Sequence, residues 1–400
     1  MSTATTERYT VISADCHAGG SHEQYRSYLD PAYLERFDEW RARYRNPFRD
    51  LQDDTRSRNW DDDRRLTEMD ADGVVAEVVF PNTVPPFFPT GVVIAPAPTT
   101  REDYELRLAG IRAHNRWLAD FCAAHPERRA GLAQILLNDV DDAVAEIRWA
   151  KEHGLAGVLL PGVAPNTLEP LFSPTYDPIW AVCAELELPV THHGGGSGVP
   201  DLGRYPWTAA MYIMEVGFYA NRALWHLILS GVFERHPGLV FVLTEQGSSW
   251  LPETLDRMDA LHEAMVAGHF GGELGPSPFV LLRRPSEYFA EHCFLGASFP
   301  PPADAEVFHR IGIDKVMWGS DYPHREGTYP YTRESLRRTF AGWGEADLRK
   351  VLAGNAARVY GFDLEALAPI AARCGPTVDE VATPLETIPA DATSPAFTRD

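Results

Sequence analysis

Residues 132–160 read LAQILLNDVDDAVAEIRWAKEHGLAGVLL, and the order of patterns within them decides the fold. An apolar run from Leu132 to Leu137 gives way to Asp139 to His153, where apolar residues recur at helical spacing. A second short apolar run follows from Gly157 to Leu160. Two strands joined by a helix are parallel neighbours, because only a parallel pair needs so long a crossover. The same alternation extends in both directions. Strand-like runs occur upstream at Val11 to Ala14 and Val74 to Phe80, and downstream at Pro189 to His192, Val240 to Thr244, Cys293 to Ala297 and Lys315 to Trp318. Helical patterns fill Tyr176 to Leu186, Ala209 to Phe233 and Leu251 to Val266. Eight strands alternating with helices predict an α/β fold, a (β/α)₈ TIM barrel over residues 1–364.

Two stretches fall outside the repeat. Residues 20–63, rich in Arg, Asp and aromatics, are expected to form a cap insertion after strand 1. Residues 365–400, rich in Ala, Pro, Thr and acidic side chains, are expected to form an irregular C-terminal tail that wraps the barrel or stays mobile. No internal repeat is visible.

Composition narrows the function. The chain has 400 residues, 44% hydrophobic and 23% charged, with a formal net charge of −21, and no basic run or face that would hold a phosphate backbone. Nucleic acid is excluded as a partner. The five cysteines (Cys16, Cys122, Cys183, Cys293, Cys374) are far apart and form no Cys-x-x-Cys, as in a reducing compartment. With no signal-like or membrane-spanning apolar segment, a cytoplasmic location is expected, away from membranes.

The chemistry gathers at the C-terminal ends of the strands, where barrel enzymes carry their active sites. In V-I-S-A-D-C-H-A-G-G, Asp15 and His17 are two residues apart at the end of the first strand, so both point toward the axis. Alone, a D-x-H reads more simply as a buried histidine paired with a carboxylate. The fifth strand ends in P-V-T-H-H-G-G-G, which puts one of His192 and His193 inward, His193 being harder to explain as a strand cap. The glycines after it let backbone approach a ligand. The eighth strand, K-V-M-W-G-S-D-Y-P-H-R-E-G, delivers Asp321 beside strand one, because a closed barrel makes those strands neighbours. Two carboxylates and two imidazoles suit one divalent ion with a position left for water or substrate.

These motifs, together with G-V-F-E-R-H-P-G-L-V-F-V-L-T-E-Q-G-S-S-W-L-P, W-G-S-D-Y-P-H and L-A-G-N-A-A-R-V-Y-G-F, resemble the amidohydrolase superfamily. The likeness is to its amidohydrolase-related branch, which includes aminocarboxymuconate semialdehyde decarboxylase, and runs from about Tyr9 to Asp363. It implies a TIM barrel and one metal ion, with ligands at Asp15, His17, His193 and Asp321. Zinc is the expected ion, and Mn²⁺ or Fe²⁺ also suits a carboxylate-rich site. Two positions depart from the branch. Its decarboxylases usually begin H-x-H where this chain has Asp15, and they carry a histidine after strand six where this chain has Glu245.

Glu245 and Asp321 are thus the candidate catalytic residues, with Glu245 acting as a base or acid, or else orienting His193. Arg204, Trp250, His324 and Arg325 are candidate substrate contacts, the arginines suiting a substrate carboxylate, although each also reads as an ordinary loop residue. Asn355 and Arg358 read as fasteners of the last helix to the barrel floor. The favoured activity is metal-dependent hydrolysis of a small carboxylated or aromatic-derived molecule through metal-activated water. Non-oxidative decarboxylation of an aromatic or muconate-type acid is the alternative. A non-catalytic binding barrel would require a lost ligand, and all four positions are competent. The resemblance also implies a homodimer.

Overall fold

The strands form where β-branched and apolar residues run between helices, and all eight pair in parallel. The computed structural model describes residues 7–46, 54–90, 95–196, 198–269 and 279–399. Within these, β1 (Ile12–Ala18), β2 (Ala76–Pro81), β3 (Arg129–Gln134), β4 (Gly157–Leu160), β5 (Val190–His193), β6 (Phe241–Thr244), β7 (Cys293–Ser298) and β8 (Val316–Gly319) follow one another around one sheet in chain order. The pairing register shifts between Ser13 and Cys16 in β1. β8 meets β1 just beyond its own end, where Asp321 N–H donates to Asp15 O (2.8 Å) and His17 N–H to Tyr322 O (2.6 Å). The Ser13 and Ser320 hydroxyls bond 3.0 Å apart beneath that seam. Gly319 is required there, since a Cβ would come 2.7 Å from the Asp15 Cβ. The fold is the expected (β/α)₈ barrel.

Several boundaries differ from the sequence reading for physical reasons. The third strand covers Arg129–Gln134 instead of 132–137. Its polar first residue hides it: Arg129 is buried, stacks 3.7 Å from the Phe121 ring centroid and pairs with Asp62 at 2.7 Å. The long aromatic segment splits into Thr208–Leu229 and Val232–Arg235, because Gly231 at φ 71° leaves the right-handed region. The helices Val140–Glu152, Asp177–Glu185 and Leu251–Val266 lie within a residue or so of their expected spans. Asn355 donates to Ile313 O and Val316 O, both at 2.7 Å, fastening the last barrel helix beneath β8.

After β1 the chain forms His22–Tyr28, begun by a Ser21 capping box, and then Leu34–Arg43. His22 Nε2 bonds Val84 O (3.0 Å) and Trp40 Nε1 donates to Phe88 O (2.8 Å), so these helices support the loop that follows β2. Part of the expected cap, residues 47–53, lies outside the described residues. The C-terminal segment, expected to be irregular, instead holds the helices Leu364–Cys374, Val378–Ala382 and Pro395–Thr398, each begun by a side-chain cap from Asp363, Thr377 or Ser394 and linked by irregular stretches. It is anchored near the start of β1 by Val378 N–H to Glu7 O (3.0 Å), and Thr393 Oγ reaches Arg325 O (3.1 Å) after β8. No helix among the described residues is long and apolar enough to cross a membrane.

Asp72, at the end of the helix Asp62–Asp72, is buried and accepts from Thr332 N–H (3.0 Å). Burial pushes its carboxyl up to about 7. Between about pH 4 and 7 the unfolded chain has released this proton and the folded chain has kept it, so stability falls as pH rises through that window. Asp72→Asn is expected to melt like the parent near pH 4 and to be the more stable above pH 7. At about 1.4 kcal/mol per pH unit the gain is at most about 4 kcal/mol. Thermal melts across this range check it; a parallel pair of curves would show that Asp72 titrates normally.

Candidate metal centre

The seam between β1 and β8 places three of the expected ligands together. Asp15 and His17 end β1, and Asp321 follows β8 at φ 61°, a left-handed conformation held by its bond to Asp15 O. His17 Nε2 lies 3.3 Å from Asp15 Oδ1 and 3.2 Å from Asp321 Oδ1. From β5 across the barrel, His193 Nε2 comes 3.5 Å from the same Asp15 oxygen. Ligand atoms of Asp15, His17 and His193 all lie within 4.8 Å of one another, as do those of His17, Asp321 and His324.

The donor set fits a divalent ion. Asp15 Oδ1, His17 Nε2, His193 Nε2 and Asp321 Oδ2 are buried without any hydrogen-bond partner, which is costly unless something else engages them. Their other atoms are committed. His17 Nδ1 faces Pro81 O at 3.1 Å; a carbonyl only accepts, so Nδ1 carries a proton, and Nε2 is the nitrogen left for an ion. Ser298 Oγ donates to Asp15 Oδ2. His193 Nδ1 lies 3.5 Å from Glu245 Oε2 and 3.2 Å from Gly195 N–H. These contacts compete for one nitrogen, and a ligand role for Nε2 selects the proton toward Glu245. His192, buried behind the site, receives Gln246 Nε2 on its carbonyl (2.9 Å).

The electrostatics follow from burial and pairing. Burial opposes the Asp15 charge, yet His193 and His17 hold its carboxyl well below the usual range. His17 is pushed up, against its burial, by Asp15 and Asp321. His324 Nδ1 bonds Asp321 Oδ1 (2.8 Å) and its Nε2 faces Asn82 Oδ1 (3.3 Å); against its burial, Asp321 raises it. Glu245 is raised by burial, then by Asp321 and Asp15. It sits at φ 54°, and Gly194 lies against it so closely that a Cβ there would be 2.1 Å from Glu245 O. No side chain fits at Gly194.

A cavity of about 650 Å³ opens from these residues. His17, His193, Glu245, His324 and Arg325 line one part; Phe80, Phe88, Ile111, Leu136 and several prolines make most of the remainder, with Asn82, Arg107, Gln134 and Tyr212 among them. His324 and Arg325 therefore stand where expected. Arg204 is exposed and Trp250 donates its indole N–H to Gln246 O (2.9 Å), and neither lines the cavity. The loop after β5 carries Arg204 outward, and Trp250 turns back onto its own chain. Sequence reading missed Ser298, Asn82 and Tyr212. A polar residue at the end of β7 was the available signal for Ser298. Asn82 and Tyr212 had none, because a loop residue and a helix tyrosine look ordinary until the fold aims them.

A family model described as Amidohydrolase matches residues 15–362. A γ-resorcylate decarboxylase from Rhodococcus jostii is 28% identical over 285 residues, covering 67% of this chain and 82% of that protein. The structure of 5-carboxyvanillate decarboxylase from Sphingomonas paucimobilis superposes with a TM-score of 0.63 at 22% identity, covering 89% of this chain and 100% of that one. A dihydroxybenzoic acid decarboxylase from Polaromonas, with bound manganese and the inhibitor 2-nitroresorcinol, gives 0.60 at 21% identity over 88% of this chain and 97% of that one.

Four buried atoms without partners should make folding sensitive to a cation. Adding Mn²⁺ or Zn²⁺ to chelator-treated protein is expected to raise the melting temperature. The gain should approach about 2.7 kcal/mol at a free concentration a hundred times the dissociation constant. Asp15→Asn and His193→Ala should lose most of this response. A parent protein whose melting ignores both ions would rule the centre out.

Proposed function

Since the chain belongs to the amidohydrolase family, we propose that this enzyme is a metal-dependent, non-oxidative decarboxylase of hydroxylated aromatic acids. Asp15, His17, His193 and Asp321 hold one divalent ion, and manganese is the first to test. Hydrolysis, the reaction favoured from sequence, has support only at the level of the family. The observation that carries the decarboxylase reading is the shape of the site: a compact polar pole of ligand atoms and carboxylates opening into an apolar cavity with room for an aromatic ring. The decarboxylase relative matching two thirds of the chain supports it.

When bound, the ion supplies an electrophile for the substrate carboxylate and its neighbouring ring oxygen. The protein does the rest. Phe80, 4.9 Å from the His193 ring, and the apolar wall beyond it hold the ring and exclude water. As the bond to CO₂ breaks, its electrons pass to the ring, and the Glu245 carboxyl delivers a proton to the vacated carbon. CO₂ leaves, and solvent returns a proton to Glu245. His324 donates to Asp321 and holds that carboxylate in place.

Mn²⁺-loaded protein should release CO₂ from ortho-hydroxybenzoates, and in D₂O the phenol should carry one deuterium at the vacated position. Glu245→Gln should bind Mn²⁺ as before and turn over about a hundredfold or more slowly. Cleavage of aryl esters or anilides without CO₂ release from any hydroxybenzoate would restore the hydrolase reading.

A further inference from the structure

Behind the ligand cluster lies an ion pair that neither substrate nor solvent touches. Arg65, on the helix Asp62–Asp72, and Glu77, on β2, both have fully buried side chains. The guanidinium grips the carboxylate twice, Nε to Oε1 at 2.8 Å and Nη2 to Oε2 at 2.5 Å. Arg129 approaches the same carboxylate at 3.4 Å. The third arm of Arg65 points away from Glu77: Nη1 donates to His17 O (2.8 Å) and to Arg58 O (2.9 Å). Its carbon lies 4.8 Å from the centroid of the Tyr322 ring, and Tyr322 is the residue after Asp321.

One guanidinium therefore holds the backbone of a ligand on β1 and packs on the neighbour of a ligand after β8. The Tyr322 carbonyl accepts from His17 N–H (2.6 Å), so the two touch each other as well. A buried ion pair is a poor source of net stability, because desolvating both charges offsets their attraction, and apolar replacements of similar volume are often no less stable. Geometry explains what a hydrophobic pair would not supply. Only a planar, forked cation can satisfy a carboxylate with two donors and aim further ones at a fixed carbonyl.

We infer that Arg65 is a positioning residue for the metal centre, with Glu77 as the anchor that aims it, and that the pair sets cation affinity and coordination geometry through His17 and the Tyr322 backbone. The inference rests on the metal-centre reading proposed above. Outer contacts of this kind typically contribute about 10–100-fold to metal affinity.

The test uses full-length, chelator-treated protein titrated with Mn²⁺ against a competing chelator, and Co²⁺-loaded protein examined by its visible absorption. Arg65→Lys keeps the charge but loses the fork. A paired Arg65→Met/Glu77→Gln variant removes both charges at similar volume and leaves an amide oxygen for Arg129. Each is expected to fold, to bind Mn²⁺ about 10–100-fold more weakly, and to show a shifted Co²⁺ spectrum. Mn²⁺ affinity within twofold of the parent and an unchanged Co²⁺ spectrum in either folded variant would overturn the inference while leaving the metal centre intact. Failure of both variants to fold would overturn it too, by making the pair a structural element. A parent protein that binds neither ion would remove the inference together with the reading it rests on.

Discussion

Everything at the site depends on the pair of hydrogen bonds that close the barrel, from Asp321 N–H to Asp15 O and from His17 N–H to Tyr322 O. In most of the sheet such bonds join residues whose side chains serve only packing. Here they join residues that carry, or adjoin, three of the four expected ligands. The sheet cannot close without bringing those side chains together, and they cannot separate without opening the sheet. Rigidity of the ligand set is thus inherited from barrel closure, the preorganisation that a metal site on strand ends has over one built on mobile loops.

Charge and polarity are divided sharply around that seam. Asp15, Asp321 and Glu245 bring three carboxyl groups into a space that also holds His17, His193 and His324. Beyond them the cavity wall turns apolar, and Arg107, a buried cation in that wall, is already occupied by Asp103 at 2.7 Å. Charge is therefore concentrated at one end, where the burial of Asp15, His17 and Asp321 strengthens any interaction made there. The loop after β2 forms much of the wall, and its carbonyls are held by His22 and Trp40 from the helices after β1.

Asp15 and Glu245 lie in direct reach of each other's partners. Asp15 shares one oxygen between His17 and His193, and Glu245 meets the far nitrogen of that same His193. Each nitrogen of one imidazole thus faces a carboxylate. Gly194 is the local price of this arrangement, since the chain after His193 must pass against the Glu245 carbonyl.

How much of this was legible in sequence depended on whether the signal was local. Alternation of apolar runs with helical spacing, repeated eight times, determined the barrel, because parallel strands with helical crossovers have few other ways to bury both faces. Strand-end position and the period of two put Asp15 and His17 on one face, barrel closure set Asp321 beside the first strand, and the choice of His193 over His192 as a ligand came from the family resemblance. Boundaries failed where a buried charge opens an element, as with Arg129, because its burial depends on Glu77 and Asp62 from elsewhere in the chain. Loop residues failed for the same reason: Arg204 and Arg325 look alike in sequence and both are exposed, and only the path of each loop brings Arg325 to the edge of the cavity and leaves Arg204 away from it. Arg65, Ser298 and Asn82 acquire meaning solely through partners distant in sequence, and contacts of that kind are decided by how the elements pack and not by any pattern along the chain.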